Sequence, residues 1–523
     1  MLFTSLEFLC FVALLLAAYY LLPRRWQPAL LLIASYVFYG LADPRYLIFI
    51  AATTLTVWGA GRMMDRSFSA QKAYLEARKG ELDAEAKKAY KADQKKRRRR
   101  WLTAALLCNL IILAAVKYLG FFTGNLNALL GWFGAGPLPL PDLILPMGIS
   151  FYTFQSIGYL VDVYRGTVPA QRSLWRFALF VSFFPQLVQG PISRYADLAP
   201  GLLGEHPFRW EALRRGGWRV LWGFFKKMVV ADRLATAVLA LAVPGGARGA
   251  NAAALLILYT VQLYADFTGG IDITIGVAEM LGIPVKENFD RPFCAVSLKD
   301  YWRRWHITMC TWFRDYLFYP VSTSGWMRKL TKGVKGKWGD KAGKRIPVYL
   351  SSFIVWFATG LWHGANWNFV VWGLCNWAVL MISEELEPLY GKFHARFGFA
   401  GGKVWHGFMI LRTFLLVAFM NLFDCFSTLS DTFRTALSVF VPGDWTGIGD
   451  LGLSAADWIL AALGTALMFA VSLLGIRGSL RDRLGKRPYV LRFALFYGLV
   501  LAVLLFGAYG MGYDAGQFIY NRF

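Results

Sequence analysis

The sequence predicts an all-α integral membrane protein, on three observations. Of its 523 residues 57% are hydrophobic and only 17% charged, against about a quarter charged in soluble domains. Apolar runs recur from one end to the other, each long enough to cross a hydrocarbon core of about 30 Å, which takes about 20 helical residues. The sustained apolar–polar alternation of a barrel is missing, and helices are then the one way for the backbone to satisfy itself in lipid.

Residues 3–22 form the first run, with Glu7 early and Arg24 and Arg25 behind it. That polarity is the reverse of a cleaved leader, so a retained helix with an outer N-terminus is expected. The positive-inside rule then sends 27–41 outward and 45–60 back. Residues 62–100 hold 14 Lys or Arg and six Asp or Glu and end in KKRRRR, which predicts a helical cytoplasmic insertion. Arg97 to Arg100 can meet anionic headgroups; the plainer reading is a charge run that holds the topology.

Residues 101–120 return outward, the Gly and Pro of GWFGAGPLPLP at 131–141 mark an outer connection, and 143–164 comes back. PQLVQGPISRYADLAPG at 185–201 has too many Pro and Gly for a clean span. It reads as re-entrant, which requires cover by protein or a water-filled cavity. In 210–233 Arg and Lys alternate with Trp and Phe, which suits a helix at the inner interface with snorkelling basic chains. Residues 252–267 make another span, and the Gly pair of ADFTGGIDITIG, between Asp266 and Asp272, suggests a helix break. Residues 322–347 carry eight Lys or Arg and one Asp and belong in the cytoplasm. Hence 346–362 runs outward, 366–382 inward, 404–423 outward, 456–476 inward and 490–511 outward. The expectation is one membrane domain over 1–523 with about 11 spans, re-entrant or interfacial pieces and both termini outside.

A net charge of +24 in a soluble protein would suggest nucleic acid. Here the basic residues lie in short segments between apolar runs, so nucleic acid is not an expected partner and membrane lipids are. Cys10, Cys108, Cys294, Cys310, Cys375 and Cys425 form no CxxC pair, and neither a disulfide framework nor a metal site is indicated.

Only five histidines occur. Two stand in aromatic, apolar surroundings: His306 in YWRRWHITMCTWFRDYLFYP and His363 in WFATGLWHGANWNFVVWG. A charge at the bilayer centre costs about 2.5–3.5 kcal/mol on insertion scales, so such residues are functional candidates by default. An imidazole, with an ordinary pKa near 6.5, can take a proton from a hydroxyl at neutral pH. His363 is therefore a candidate general base. Gly364 and Ala365 leave room beside it, and Asn366 offers an amide to a carbonyl oxygen or to the ring. Arg303, Arg304 and Arg314 can hold a phosphate or carboxylate, with Asp315 as a pairing partner. Trp305, Arg304, Asn366 and Asp266 complete the candidate substrate-binding set. The plainer readings are packing and an interfacial belt for the tryptophans; for Asp266 and Asp272 a structural and a functional reading both stand, and for His394 and His406 packing is adopted. No GxSxG elbow and no nucleotide-binding glycine loop is present. A base without a nucleophile points to direct transfer from a bound donor to a hydroxyl.

The runs ENFDRPF (287–293), LKDYWRRWHITMCTWFRDYLFYP and TGLWHGANWNFVVWG resemble the membrane-bound O-acyltransferase (MBOAT) superfamily, in its alginate O-acetylation branch. LPMGISFYTFQSIGYLVDVYRG (145–166), FFPQLVQGPISRY (183–195) and YADFTGGIDITIGVAEMLGI (264–283) match as well, so the resemblance covers roughly 1–380, with its core motifs in 264–380. It implies helices around a central tunnel, His363 as the catalytic histidine of the WHG motif and His306 as the second functional one. It implies no tightly bound cofactor: the donor is acetyl-CoA or an acyl-carrier thioester from the cytosol, with an acyl carrier protein among the candidate partners. The acceptor implied is an exported or cell-wall polysaccharide, reached with an extracytoplasmic acetyltransferase partner, and the place is the bacterial cytoplasmic membrane. D-alanyl transfer to teichoic acid is the alternative within the class. A transporter of lipid-linked sugars is the alternative outside it.

Overall fold

The computed structural model describes residues 3–139, 143–243, 247–443 and 447–509, and no strand occurs among them. Among the described residues eight helices are long and apolar enough to cross a membrane: Tyr46–Ala77, Ala84–Trp132, Ala250–Met280, Gly325–His363, Trp367–Arg396, Lys403–Cys425, Ala455–Leu474 and Tyr489–Phe506. Three other expected spans are helices of 16, 14 and 17 residues, at Leu6–Leu21, Gln27–Gly40 and Ile149–Arg165. At 1.5 Å per residue they fall short of about 30 Å. The last two residues of the expected span 490–511, and part of the outer connection 131–141, lie outside the described residues.

The chain forms two compact units, one of residues 1–213 with 277–285 and one of 214–276 with 286–523. In the first, the charged insertion is the end of a helical hairpin: Tyr46–Ala77 and Ala84–Trp132 continue into it from their apolar portions. Tyr74 stacks on Tyr90 at 4.0 Å. Arg98 is buried, donates to Gln71 at 3.0 Å and stacks over Phe68. Of the four arginines offered to headgroups, this one instead locks the hairpin. Residues 184–187 and 195–202 are one- and two-turn helices joined by a buried loop, in which Gln186 donates to Ser193 at 2.9 Å. Protein thus covers this interrupted backbone, as a re-entrant segment would require.

In the second unit two expectations fail. The segment 210–233 is not a headgroup anchor. Helix Trp210–Phe224 widens into π-helical turns over Phe225–Ala231, which swings Lys226 and Lys227 inward, where both are buried together with Arg219. Lys227 is paired with Asp232 at 2.6 Å and Asp266 at 2.5 Å. Arg219 meets Asp272 at 2.9 Å and Glu287 at 2.5 Å, and Lys226 meets Asp272 at 2.7 Å. Buried cations require such partners. Nor does the Gly pair break its helix: Ala250–Met280 is continuous for 31 residues. Gly269 serves close approach instead, since a Cβ on it would lie 2.9 Å from the Gly223 carbonyl and one on Gly223 2.6 Å from that of Gly269.

Gly339, with φ +83°, interrupts helix Gly325–His363 in its basic part, and the stretch beyond it carries His363 at its end. That stretch packs on Trp367–Arg396 through Gly360, where a Cβ would stand 2.4 Å from the Phe369 carbonyl oxygen. We expect Gly360→Val to destabilise the protein by about 1–3 kcal/mol through overpacking and to depress turnover with it. A lowered unfolding midpoint in detergent checks this.

Candidate active site

The two histidines share one aromatic cluster in the second unit. His363 is the last residue of its helix, and its ring lies 4.9 Å from that of Trp362, 4.8 Å from Trp372 and 6.1 Å from Phe369. His306 is completely buried, 5.1 Å from Phe267 and 5.8 Å from Trp362. Trp362 thus stands beside both imidazoles.

His306 is held by its backbone. It caps helix Ile307–Phe313 with φ +47°, in the left-handed region that non-glycine residues seldom adopt, and such strain persists only where the surroundings impose it. Asn288 imposes it here. Its side-chain oxygen accepts from the Thr308 N–H at 3.0 Å and hydroxyl at 2.9 Å and lies 3.3 Å from His306 Nδ1, while its carbonyl accepts from Ile307 N–H at 3.0 Å. We expect Asn288→Leu to cost about 1–3 kcal/mol, since buried donors lose their acceptor. Combined with His306→Gln, the loss should be less than additive, as measured by the unfolding midpoints of the two single variants and the double variant.

His363 borders a cavity of about 50 Å³, also lined by Phe267, Trp302, Trp305, Phe369, Trp372, Asn376, Asn421 and Asp424. The volume holds a few waters or a two-carbon acyl group. Trp302 Nε1 donates to Asn376 at 3.1 Å, and Asn421 donates to Thr260 at 3.2 Å, so polar atoms in this apolar wall are fixed in place. A second, charged cavity of about 240 Å³ is lined by Arg219, Lys226, Asp272, Glu287 and Arg291, and by Tyr264 and Phe289. Rings of the first touch rings of the second: Phe267 and Trp305 each lie 5.0 Å from Phe289, and Tyr264 lies 6.3 Å from Trp305. One aromatic layer separates them.

A chain with this helical architecture and site has counterparts. A model of the membrane-bound O-acyltransferase family matches residues 169–332. A probable alginate O-acetylase of Azotobacter vinelandii is 33% identical over 491 residues, covering 91% of this chain and 85% of that protein. The chain belongs to the membrane-bound O-acyltransferase family. Other relatives of this O-acyltransferase include a probable alginate O-acetylase of Pseudomonas syringae pv. tomato, 36% identical over 74% of this chain and 67% of that protein. A peptidoglycan O-acetyltransferase of Helicobacter pylori is 30% identical over 57% of this chain and 58% of that protein.

Within the O-acyltransferase the candidate residues separate. Trp305 lines the His363 cavity. Asn366 does not serve the ring: its oxygen accepts from Asn368 N–H, capping helix Trp367–Arg396, and its amide donates to the Ser427 carbonyl at 2.9 Å. Arg304 lines neither cavity and is held by Asp300 at 3.0 Å. Asp266, 2% exposed, is taken up by Lys227 and cannot also receive a substrate. Sequence reasoning missed Asp424, Asn421 and the Arg219–Lys226–Asp272–Glu287 cluster. A lone acid at the end of an apolar run, in FMNLFDC, was the available signal for Asp424, and KK inside GFFKKMVV for the cluster.

Proposed function

We propose that this membrane O-acyltransferase moves an acetyl group from a cytosolic thioester, acetyl-CoA or an acyl-carrier pantetheine, across the membrane to a hydroxyl acceptor on the outer side, for O-acetylation of an exported cell-envelope polysaccharide, with His363 as general base. The single observation that carries the reading is His363 bordering a polar-edged cavity of acetyl size. In the step, the acceptor oxygen attacks the thioester carbonyl, a C–O bond forms and the C–S bond breaks. The hydroxyl proton passes to His363 and from it to the departing sulfur, leaving an ester and a free thiol. His306, behind Trp362, positions the donor side. A cytoplasmic basic segment 322–347, as the positive-inside rule expects, supports a His363 that faces outward. For the thioester to reach His363 the Phe267–Phe289–Trp305 layer must part.

The acceptor class follows relatives named for alginate and peptidoglycan acetylation. An extracytoplasmic acetyltransferase is the partner we assign to completing transfer on the polymer. Purified protein given acetyl-CoA, and separately a D-alanyl carrier thioester, tests the donor. Consumption of the acetyl donor alone supports the reading; consumption of the D-alanyl donor alone, or of neither, overturns it.

A further inference from the structure

Helix Gly325–His363 changes direction at Gly339. A Cβ on Gly343 would stand 2.8 Å from that of Lys335, although eight residues of unbroken helix span about 12 Å. The stretch 325–338 therefore turns back at Gly339 instead of continuing the line of the stretch that carries His363. Lys335 pairs with Asp340 across the bend at 2.9 Å. Ser324 starts the stretch with a cap of its own, accepting from the Met327 N–H at 3.3 Å.

Residues 325–338 are amphipathic. Trp326, Leu330 and Val334 recur at i, i+4, i+8, and Met327 and Trp338 fall on the same side. Arg328, Lys332 and Lys335 recur at i, i+4, i+7 on the opposite side, with Lys329 next to them. Only part of the apolar side packs on the protein. Met327 and Val334 are buried, but Trp326 is 50% and Trp338 61% exposed, and Leu330 is exposed between them. Contiguous apolar surface of this kind marks a contact with something other than water. Arg328, Lys329 and Lys332 are exposed as well, and none of the three makes an ion pair among the described residues. The other basic stretch has no such face: helix Ala84–Trp132 runs unbroken through its cations, and Tyr90, the one ring among residues 84–100, is stacked on Tyr74.

We propose that residues 325–338 lie in the membrane interface and bind anionic phospholipid. Trp326, Leu330 and Trp338 sit among the upper acyl carbons, while Arg328, Lys329 and Lys332 meet phosphate and anionic headgroups. Cations on one side and tryptophan and leucine on the other select this occupant; an acidic protein surface would answer the cations and leave the apolar flank in water. Lipid binding here is independent of the acetyl-transfer reading.

Full-length protein in detergent is titrated with phosphatidylglycerol or with phosphatidylcholine of identical chains, and bound lipids are counted by native mass spectrometry. Wild type should hold phosphatidylglycerol about ten-fold or more tighter than phosphatidylcholine, a comparison that needs no variant to fold. Arg328→Gln, Lys329→Gln and Lys332→Gln combined should weaken phosphatidylglycerol binding about five-fold for each cation removed, the scale of a basic residue at an anionic surface, and leave phosphatidylcholine unchanged. Lys88→Gln, Lys91→Gln and Lys95→Gln combined, an equal loss of charge in the other basic stretch, should change neither. Equal wild-type affinity for the two lipids, or equal weakening in the two triple variants, overturns the proposal. Leu330→p-benzoylphenylalanine, irradiated in native membranes, tells the occupants apart. An adduct with the mass of a phospholipid is expected; an adduct with another protein or a second copy, or none, overturns the choice of lipid.

Discussion

Replacing His363 with alanine abolishes acetyl transfer, by at least the 10²–10⁴-fold that a positioned general base contributes, while membrane abundance stays at the wild-type level. The separation of the two effects follows from the structure. The imidazole borders a cavity, and Trp372, one of the rings it contacts, is also held by Trp302 at 5.6 Å and Trp356 at 6.0 Å. Its loss therefore enlarges a space already present and removes little of what joins the two helices, which also approach closely at Gly360 and Gly373. His306→Ala should differ, since that ring is buried and its turn is clamped by Asn288. Loss of stability accompanies loss of activity there. Transfer rates per molecule, with abundance measured in parallel by blotting, check both statements.

Lys227→Met has the largest expected effect on stability, about 3–5 kcal/mol, because it strips the ammonium from two buried carboxylates, Asp232 and Asp266. Adding Asp266→Asn to that variant removes one of the two stranded charges and should recover a substantial part of the loss. The unfolding midpoints of the single and double variants decide; a double variant no more stable than Lys227→Met contradicts the assignment of Asp266 to the ion cluster.

Much of this fold was legible because lipid leaves so few choices. The eight long apolar helices, the charged hairpin and the interrupted stretch near residue 190 follow from hydropathy, basic residues and the density of Pro and Gly. What was not legible depends on which way a side chain turns. Lys226 and Lys227 read as snorkelling cations, since the pattern of Lys among Phe is the same for an interfacial helix and for a helix paired with buried acids. The π-helical turns that rotate them inward leave no mark in the residue types. Gly269 and Gly270 read as a break because glycine marks both breaks and close approaches, and only the partner at Gly223 tells them apart. Within the site, His306, His363 and Trp305 were visible as polar or amphipathic groups in apolar runs. Asn366 was assigned to the ring by its nearness in sequence, yet a residue three places beyond a helix end also caps the next helix. Asp424 escaped because the fold alone brings it to the cavity that His363 borders, and no local pattern links two stretches so far apart in the chain.

The most direct test of His363 as the transfer base uses sealed vesicles containing the protein in one orientation. Labelled acetyl-CoA is added only on the side that bears the basic segment 322–347, and a hexoside acceptor is trapped on the other. The account predicts labelled acetyl ester on the trapped acceptor with wild type and none with His363→Ala. Equal labelling by His363→Ala and wild type, or ester formed only on the side of the donor, would contradict it.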